Sequence, residues 1–131
     1  GIIRWLPGTT LSQTEALLHK IVDPIAQEGD LDVEIKFMLS REPFEVPADN
    51  FALQIASSAI VKTTGVAPKV IGKKIVGDAN IFMPETGITT FYYGPGYKTA
   101  HSNEEWVSIA ALSSLAKVLG GFAIDFLDEA N

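Results

Sequence analysis

The chain has 131 residues, is 47 % apolar and carries ten basic against sixteen acidic side chains, a net charge of −6. That length allows one domain or parts of two. With no cysteine present, disulfides are excluded, and any metal site must draw on histidine and carboxylates. There is no basic run or arginine-rich patch, so nucleic acid and anionic membrane surfaces are poor partners.

The sequence opens on Gly1 rather than methionine, and Ile2 to Leu6 already reads as a strand, so the chain is expected to be a fragment of a longer protein. No signal-peptide pattern is present, and a cytoplasmic location is the expectation for so acidic a chain. Pro7-Gly8 is a turn pair that stops the first strand. Ser12-Gln13-Thr14-Glu15 has capping-box spacing and predicts a helix start. Leu18, Ile21, Val22 and Ile25 then recur at three and four, with Pro24 expected to end or kink the helix near Asp23. Glu28-Gly29-Asp30 is a turn. Leu31, Val33, Ile35, Phe37 and Leu39 alternate with Asp32, Glu34, Lys36 and Met38, the period of a half-buried strand.

Glu42 to Asp49 carries Pro43 and Pro47 and no periodicity, which suggests a crossover between two structural units. A helix is predicted from about Asp49 to Thr64, with Phe51, Ile55, Ala59 and Ile60 as its buried stripe and Gly65 as its stop. Lys69-Val70-Ile71 reads as a short strand. Gly77-Asp78 is expected to open a short helix that Pro84 closes, and Ile88 to Tyr93 reads as a buried strand. Ile109, Leu112, Ala116, Leu119, Ala123 and Phe126 mark one face of a last helix, with Ser108 as its N-cap. The window Val107 to Leu127 is the most apolar, but it holds Lys117 and Asp125. Each charge costs roughly 2.5–3.5 kcal/mol at mid-membrane, so a buried soluble helix is expected there. Alternation of helix and strand predicts a layered α/β sheet.

The candidate chemistry centres on Thr89 to Ile109. A buried strand runs into Gly94-Pro95-Gly96, then His101, then Asn103-Glu104-Glu105. Ligands in open α/β sheets bind beyond strand ends. His101 is therefore a candidate metal ligand, or else a structural or exposed histidine, while His19 reads as an ordinary helix residue. A neighbouring carboxylate is placed to fix the tautomer of such an imidazole. No HExxH and no second histidine near His101 is present, so the chain offers at most one ligand to a site completed elsewhere. Arg4 shares a strand face with Ile2 and Leu6. Its planar fork suits a carboxylate, or a plain surface salt bridge. Asp78 is either a helix cap or a pocket residue. Gly94 and Gly96 permit close backbone approach to a ligand, or simply make a turn. Lys73-Lys74 reads as solvated surface.

Together these residues resemble the C-terminal third of the co-catalytic zinc amidohydrolases. That family includes acetylornithine deacetylase, succinyl-diaminopimelate desuccinylase, aminoacylase and the glutamate carboxypeptidases. IIRWLPGTT resembles the family's hydrophobic-x-Arg-x-x-Pro-Gly stretch, VGDANIF is similar to its Gly-Thr-Asp-Ala segment, and YYGPGYKTAHSNEEWVSI resembles its Gly-Pro, His, Asn-Glu-x-Val signature. Where many relatives have a run of glycines before the aspartate, this chain has Lys73, Lys74, Ile75 and Val76.

The resemblance implies an α/β fold in two parts. Residues 1–43 would be the second half of a ferredoxin-like lid, strand-helix-strand, that also forms a homodimer. Residues 44–131 would be the C-terminal helix and strand layers of a zinc-peptidase-like catalytic domain. It implies that His101 closes a two-zinc site, with cobalt or manganese as alternatives because nitrogen and oxygen ligands discriminate little. Glu105 would support that ligand, Arg4 would hold the substrate's carboxylate, and Gly94 and Gly96 would line the substrate loop. Asp78 matches the family aspartate without an assigned role. The implied reaction is metal-assisted hydrolysis of an N-acyl amino acid or small peptide. The remaining ligands and the base would lie upstream, and the fragment alone would be inactive. The competing reading is a non-catalytic binding or oligomerisation module built on a ferredoxin-like unit, or a degenerate relative kept for assembly.

Overall fold

A computed structural model describes residues 1–38, 41–95 and 98–129. Four helices appear in it: α1 at Leu11–Glu28, α2 at Phe51–Thr64, α3 at Ala79–Thr86 and α4 at Ile109–Glu129. They fall in two compact units. One comprises Gly1–Glu45 and Lys73–Thr90, and the other comprises Val46–Gly72 and Phe91–Asn131.

The α/β expectation is overturned. Among the described residues there is no strand, so neither a ferredoxin-like strand-helix-strand lid nor strand layers are formed. The runs 2–6, 31–38, 69–71 and 88–93 are non-helical and unassigned to any ladder. Alternation specifies which side chains share a face. It does not supply the second backbone that a ladder requires. The pattern survives in part, since Ile35 and Phe37 are half-buried while their neighbours are exposed. Leu39 lies outside the described residues.

In the first unit, α1 starts two residues before the expected box. Thr10 is the N-cap; its hydroxyl accepts from Gln13 N–H at 3.2 Å, and Gln13 Oε1 accepts from Thr10 N–H at 2.9 Å. The reciprocal pair satisfies two otherwise orphaned donors. Pro24 neither ends nor breaks α1, which continues to Glu28. A proline inside a helix removes one donor, and the turns beyond it re-form. Gly29 N–H donates to Ile25 O at 3.0 Å and Leu31 N–H to Ala26 O at 2.8 Å. α3 similarly absorbs Pro84 and stops at Gly87, whose φ of 70° is left-handed.

The second unit is built on α2 against α4. Asn50 caps α2 by accepting from Leu53 N–H at 3.3 Å, and Gly65 ends it at φ 73°. Its buried stripe is Leu53, Ile55, Ala56, Ala59 and Ile60; Phe51, expected to be buried, is about half exposed and stacks on Phe126 with ring centroids 5.7 Å apart. Ser108 caps α4 as expected, accepting from Ala111 N–H at 3.1 Å. Of the face expected to be buried on α4, only Phe126 is among its less exposed residues. Val118 is fully buried, and Ala111, Ser114, Leu115, Gly121, Phe122, Asp125 and Phe126 are half-buried around it. Ile109 is 86 % exposed and Leu119 53 %. Length and composition would let α4 cross a membrane, and only 6 % of its apolar window is buried, so the buried helix expected from the sequence is not what the described residues show. Because it is apolar nearly all round, periodicity cannot choose its inner face. What does choose it is the fit to α2: a Cβ built on Gly121 would stand 3.9 Å from Ala59 Cβ, so the helices meet across small residues.

Two consequences are measurable. Val118→Ala removes two buried methyl groups from this contact and is expected to destabilise the fold by about 2 kcal/mol, read from the urea midpoint. Lys62 Nζ donates to Asp125 Oδ2 at 2.7 Å, tying α2 to α4, and this bond raises the lysine above its ordinary value of 10.5. A raised folded-state value means the stabilisation is complete below 10.5 and is lost as pH rises through the folded value. Lys62→Met is thus expected to lower the urea midpoint slightly at pH 7, with the deficit vanishing in strongly alkaline buffer.

Candidate functional site

Gly94 and Pro95 end the non-helical segment that enters the second unit. From there the chain turns through 98–104 and reaches the cap of α4. Gly96 lies outside the described residues. Gly94 is exposed, and a Cβ there would meet Leu115 Cδ2 at 4.0 Å, an ordinary contact, so space does not demand glycine. Gly94, Pro95, Lys98, Thr99, Trp106 and Ser108 border a largely apolar cavity of about 260 Å³.

His101 sits on the turn with φ 63°, a left-handed backbone that histidine adopts more readily than most side chains. Its ring is exposed and has no side-chain partner among the described residues. A ring nitrogen lone pair is therefore open to a ligand. Glu104 and Glu105, three and four residues on, are exposed as well. One hydroxyl closes this turn. Thr99 Oγ1 accepts from Trp106 N–H at 3.3 Å and donates to Trp106 O at 2.9 Å, while Ser102 N–H donates to Thr99 O at 3.1 Å. Thr99 did not stand out in the sequence. The only signal was a β-hydroxyl residue set just before the histidine, which is a common loop feature.

Arg4 and Asp78 belong to the first unit. Arg4 is exposed and has no side-chain partner among the described residues, so the guanidinium fork is available. Among the described residues the Trp5 indole N–H, one position on, is buried without an acceptor, an unusual cost. Asp78 occupies the N-cap position of α3 in helical geometry and makes no side-chain cap bond. The side-chain tie at this corner comes from Asn80, which is buried. Its Oδ1 accepts from Gly77 N–H at 3.1 Å and its Nδ2 donates to Glu42 O at 3.0 Å.

The donor set fits a share of a metal centre and not a whole one. Zinc takes three or four protein ligands in tetrahedral sites. Among the described residues no three of His, Asp and Glu gather to hold an ion. His19, the other histidine, is engaged at 3.1 Å with Asp23 on the exposed face of α1.

No solved structure matches the chain. Among curated proteins, the succinyl-diaminopimelate desuccinylase of Hydrogenovibrio crunogenus is 30 % identical over 95 % of this chain and 32 % of its own length. That of Nitratiruptor sp. is 28 % identical over 76 % of this chain and 26 % of its own length. The chain thus spans about a third or less of the curated relatives it matches. At the family level, residues 5–125 match peptidase family M20/M25/M40. That span runs from the residue after Arg4, through the His101 turn, to the last turns of α4, and the chain belongs to peptidase family M20/M25/M40.

Proposed function

We propose that this chain is the C-terminal part of a metal-dependent hydrolase that cleaves the amide bond of an N-acyl amino acid or small peptide. The observation that carries the reading is the His101 turn: an imidazole with no side-chain partner among the described residues, on left-handed backbone, followed by two carboxylates, inside a family match. Residues 1–43 serve to pair two copies, and residues 44–131 contribute to the catalytic domain. The protein works in the cytoplasm.

His101 gives one nitrogen ligand, and the others come from residues beyond these 131. A bound pair of zinc, cobalt or manganese ions supplies Lewis-acid activation of water and of the scissile carbonyl. Glu105 would steady the imidazole by accepting a hydrogen bond from its second ring nitrogen. Arg4 holds the substrate's carboxylate through two parallel hydrogen bonds. Gly94 and Gly96 line the loop along which the acyl amino acid lies, and Asp78 is the family aspartate, without an assigned role. An N-succinyl substrate, the kind named for the relatives, has the free carboxylates this arrangement would engage.

Two outcomes test this. The isolated 131-residue chain, incubated with zinc and N-succinyl or N-acetyl amino acids, is expected to give no turnover, whereas the full-length protein hydrolyses them and loses bound metal on His101→Ala by more than about a hundredfold in affinity, beyond what supporting residues show. Turnover by the isolated chain, or full metal affinity in H101A, refutes the assignment. In the full-length protein, Arg4→Ala is expected to raise KM with little change in kcat, and Arg4→Lys to recover little, since a point charge does not reproduce the fork.

A further inference from the structure

We infer that Thr99 is the positioning residue of the His101 turn, its hydroxyl acting as a buckle that sets where the imidazole stands. The inference rests on the metal-ligand reading of His101 and extends it to a residue outside the ligand set. Thr99 and Trp106 flank the segment that carries His101, Glu104 and Glu105. A single oxygen joins both ends of that segment, accepting from the Trp106 amide at 3.3 Å and donating to the Trp106 carbonyl at 2.9 Å. An oxygen that donates and accepts at the same residue fixes both distance and direction, which one bond would not. Within the loop so closed, Ser102 N–H reaches back to Thr99 O at 3.1 Å, leaving His101 in its left-handed conformation at the tip. The ring itself makes no side-chain bond among the described residues, so backbone closure is what orients it. Beyond Trp106 the chain runs directly into the Ser108 cap of α4, which anchors the far side.

A ligand carried on a loop reaches a metal with high affinity only when the loop is already arranged for it. The shape of the side chain is irrelevant to the buckle and its hydroxyl is essential. Serine should therefore replace Thr99, and isosteric valine should not.

The test uses the full-length protein with zinc alone as the probe, its affinity measured by competition with a chelator, beside amide exchange at Trp106. Thr99→Val is expected to weaken zinc about tenfold, in the range for residues that orient ligands, and to speed exchange of the Trp106 amide. Thr99→Ser is expected to stay within about twofold of wild type in both. Equal losses in T99V and T99S, or wild-type affinity in T99V while His101→Ala loses it, overturn the buckle and leave the ligand reading intact. Unchanged Trp106 exchange in T99V overturns it on geometry alone. Wild-type zinc affinity in H101A removes the ligand reading and the buckle with it. A T99V protein with an unaltered urea midpoint but weakened zinc separates positioning from general loss of structure.

Discussion

Ala59 and Gly121 set how closely α2 and α4 meet, and the second unit depends on that contact. Ile60 and Val118 are buried beside it, with Phe122 packed against them, and Phe51, Phe122 and Phe126 extend the contact through tilted ring pairs. Aromatic pairs at these separations add to simple area burial. A bulkier residue at the small positions would push the helices apart and thin the contacts of every neighbour. The consequence for the site is direct. α4 begins at Ile109, two residues past Val107, so the end of the His101 turn is held by whatever holds α4.

The turn itself is held differently. It contains no buried side chain, and every residue from Ala100 to Ile109 is exposed. Hydrophobic burial therefore contributes almost nothing to its shape. Left-handed backbone at a residue other than glycine costs of order 1–3 kcal/mol and persists only when its surroundings over-determine it. Here the surroundings are hydrogen bonds, namely those of the Thr99 hydroxyl and the Thr99 carbonyl. A surface turn closed in this way opens more readily than a packed helix.

Punctuation was legible in the sequence and partnership was not. Gly65 as a helix stop, Ser108 as a cap and Pro7-Gly8 as a turn are decided within a few residues, so local chemistry suffices for them. The capping box of α1 was misplaced by two residues because Ser12-x-x-Glu15 and Thr10-x-x-Gln13 both satisfy the spacing, and only backbone geometry separates them. The strands failed for a different reason: Leu31 to Phe37 alternates convincingly, yet among the described residues no second backbone pairs with it. The inner face of α4 failed because nearly every face is apolar. Asp78 looked like a cap by type and position, but its backbone there is helical and its side chain makes no cap bond. Asn80, unremarked, ties that corner instead, through contacts to residues three and thirty-eight positions away. The motif residues His101 and Arg4 stood out because charge or imidazole beside glycine and apolar neighbours is chemically unusual. Thr99 did not, because its role is visible only in its bonds.

A metal centre gains its affinity from several ligands held together, and each ligand alone is weak. On the reading proposed above, a chain that supplies one imidazole would contribute little through the nitrogen itself. Its contribution would be arrangement: a ring with no side-chain bond among the described residues, on left-handed backbone, with two carboxylates three and four residues on. His19 makes the contrast. It has the same ring, but the ring is already paired with Asp23 along a helix face. Any metal would have to displace that carboxylate or share with it. Among the described residues His101 is the histidine without a side-chain partner, and that difference in hydrogen bonding makes it the candidate of the two for the ligand role proposed above.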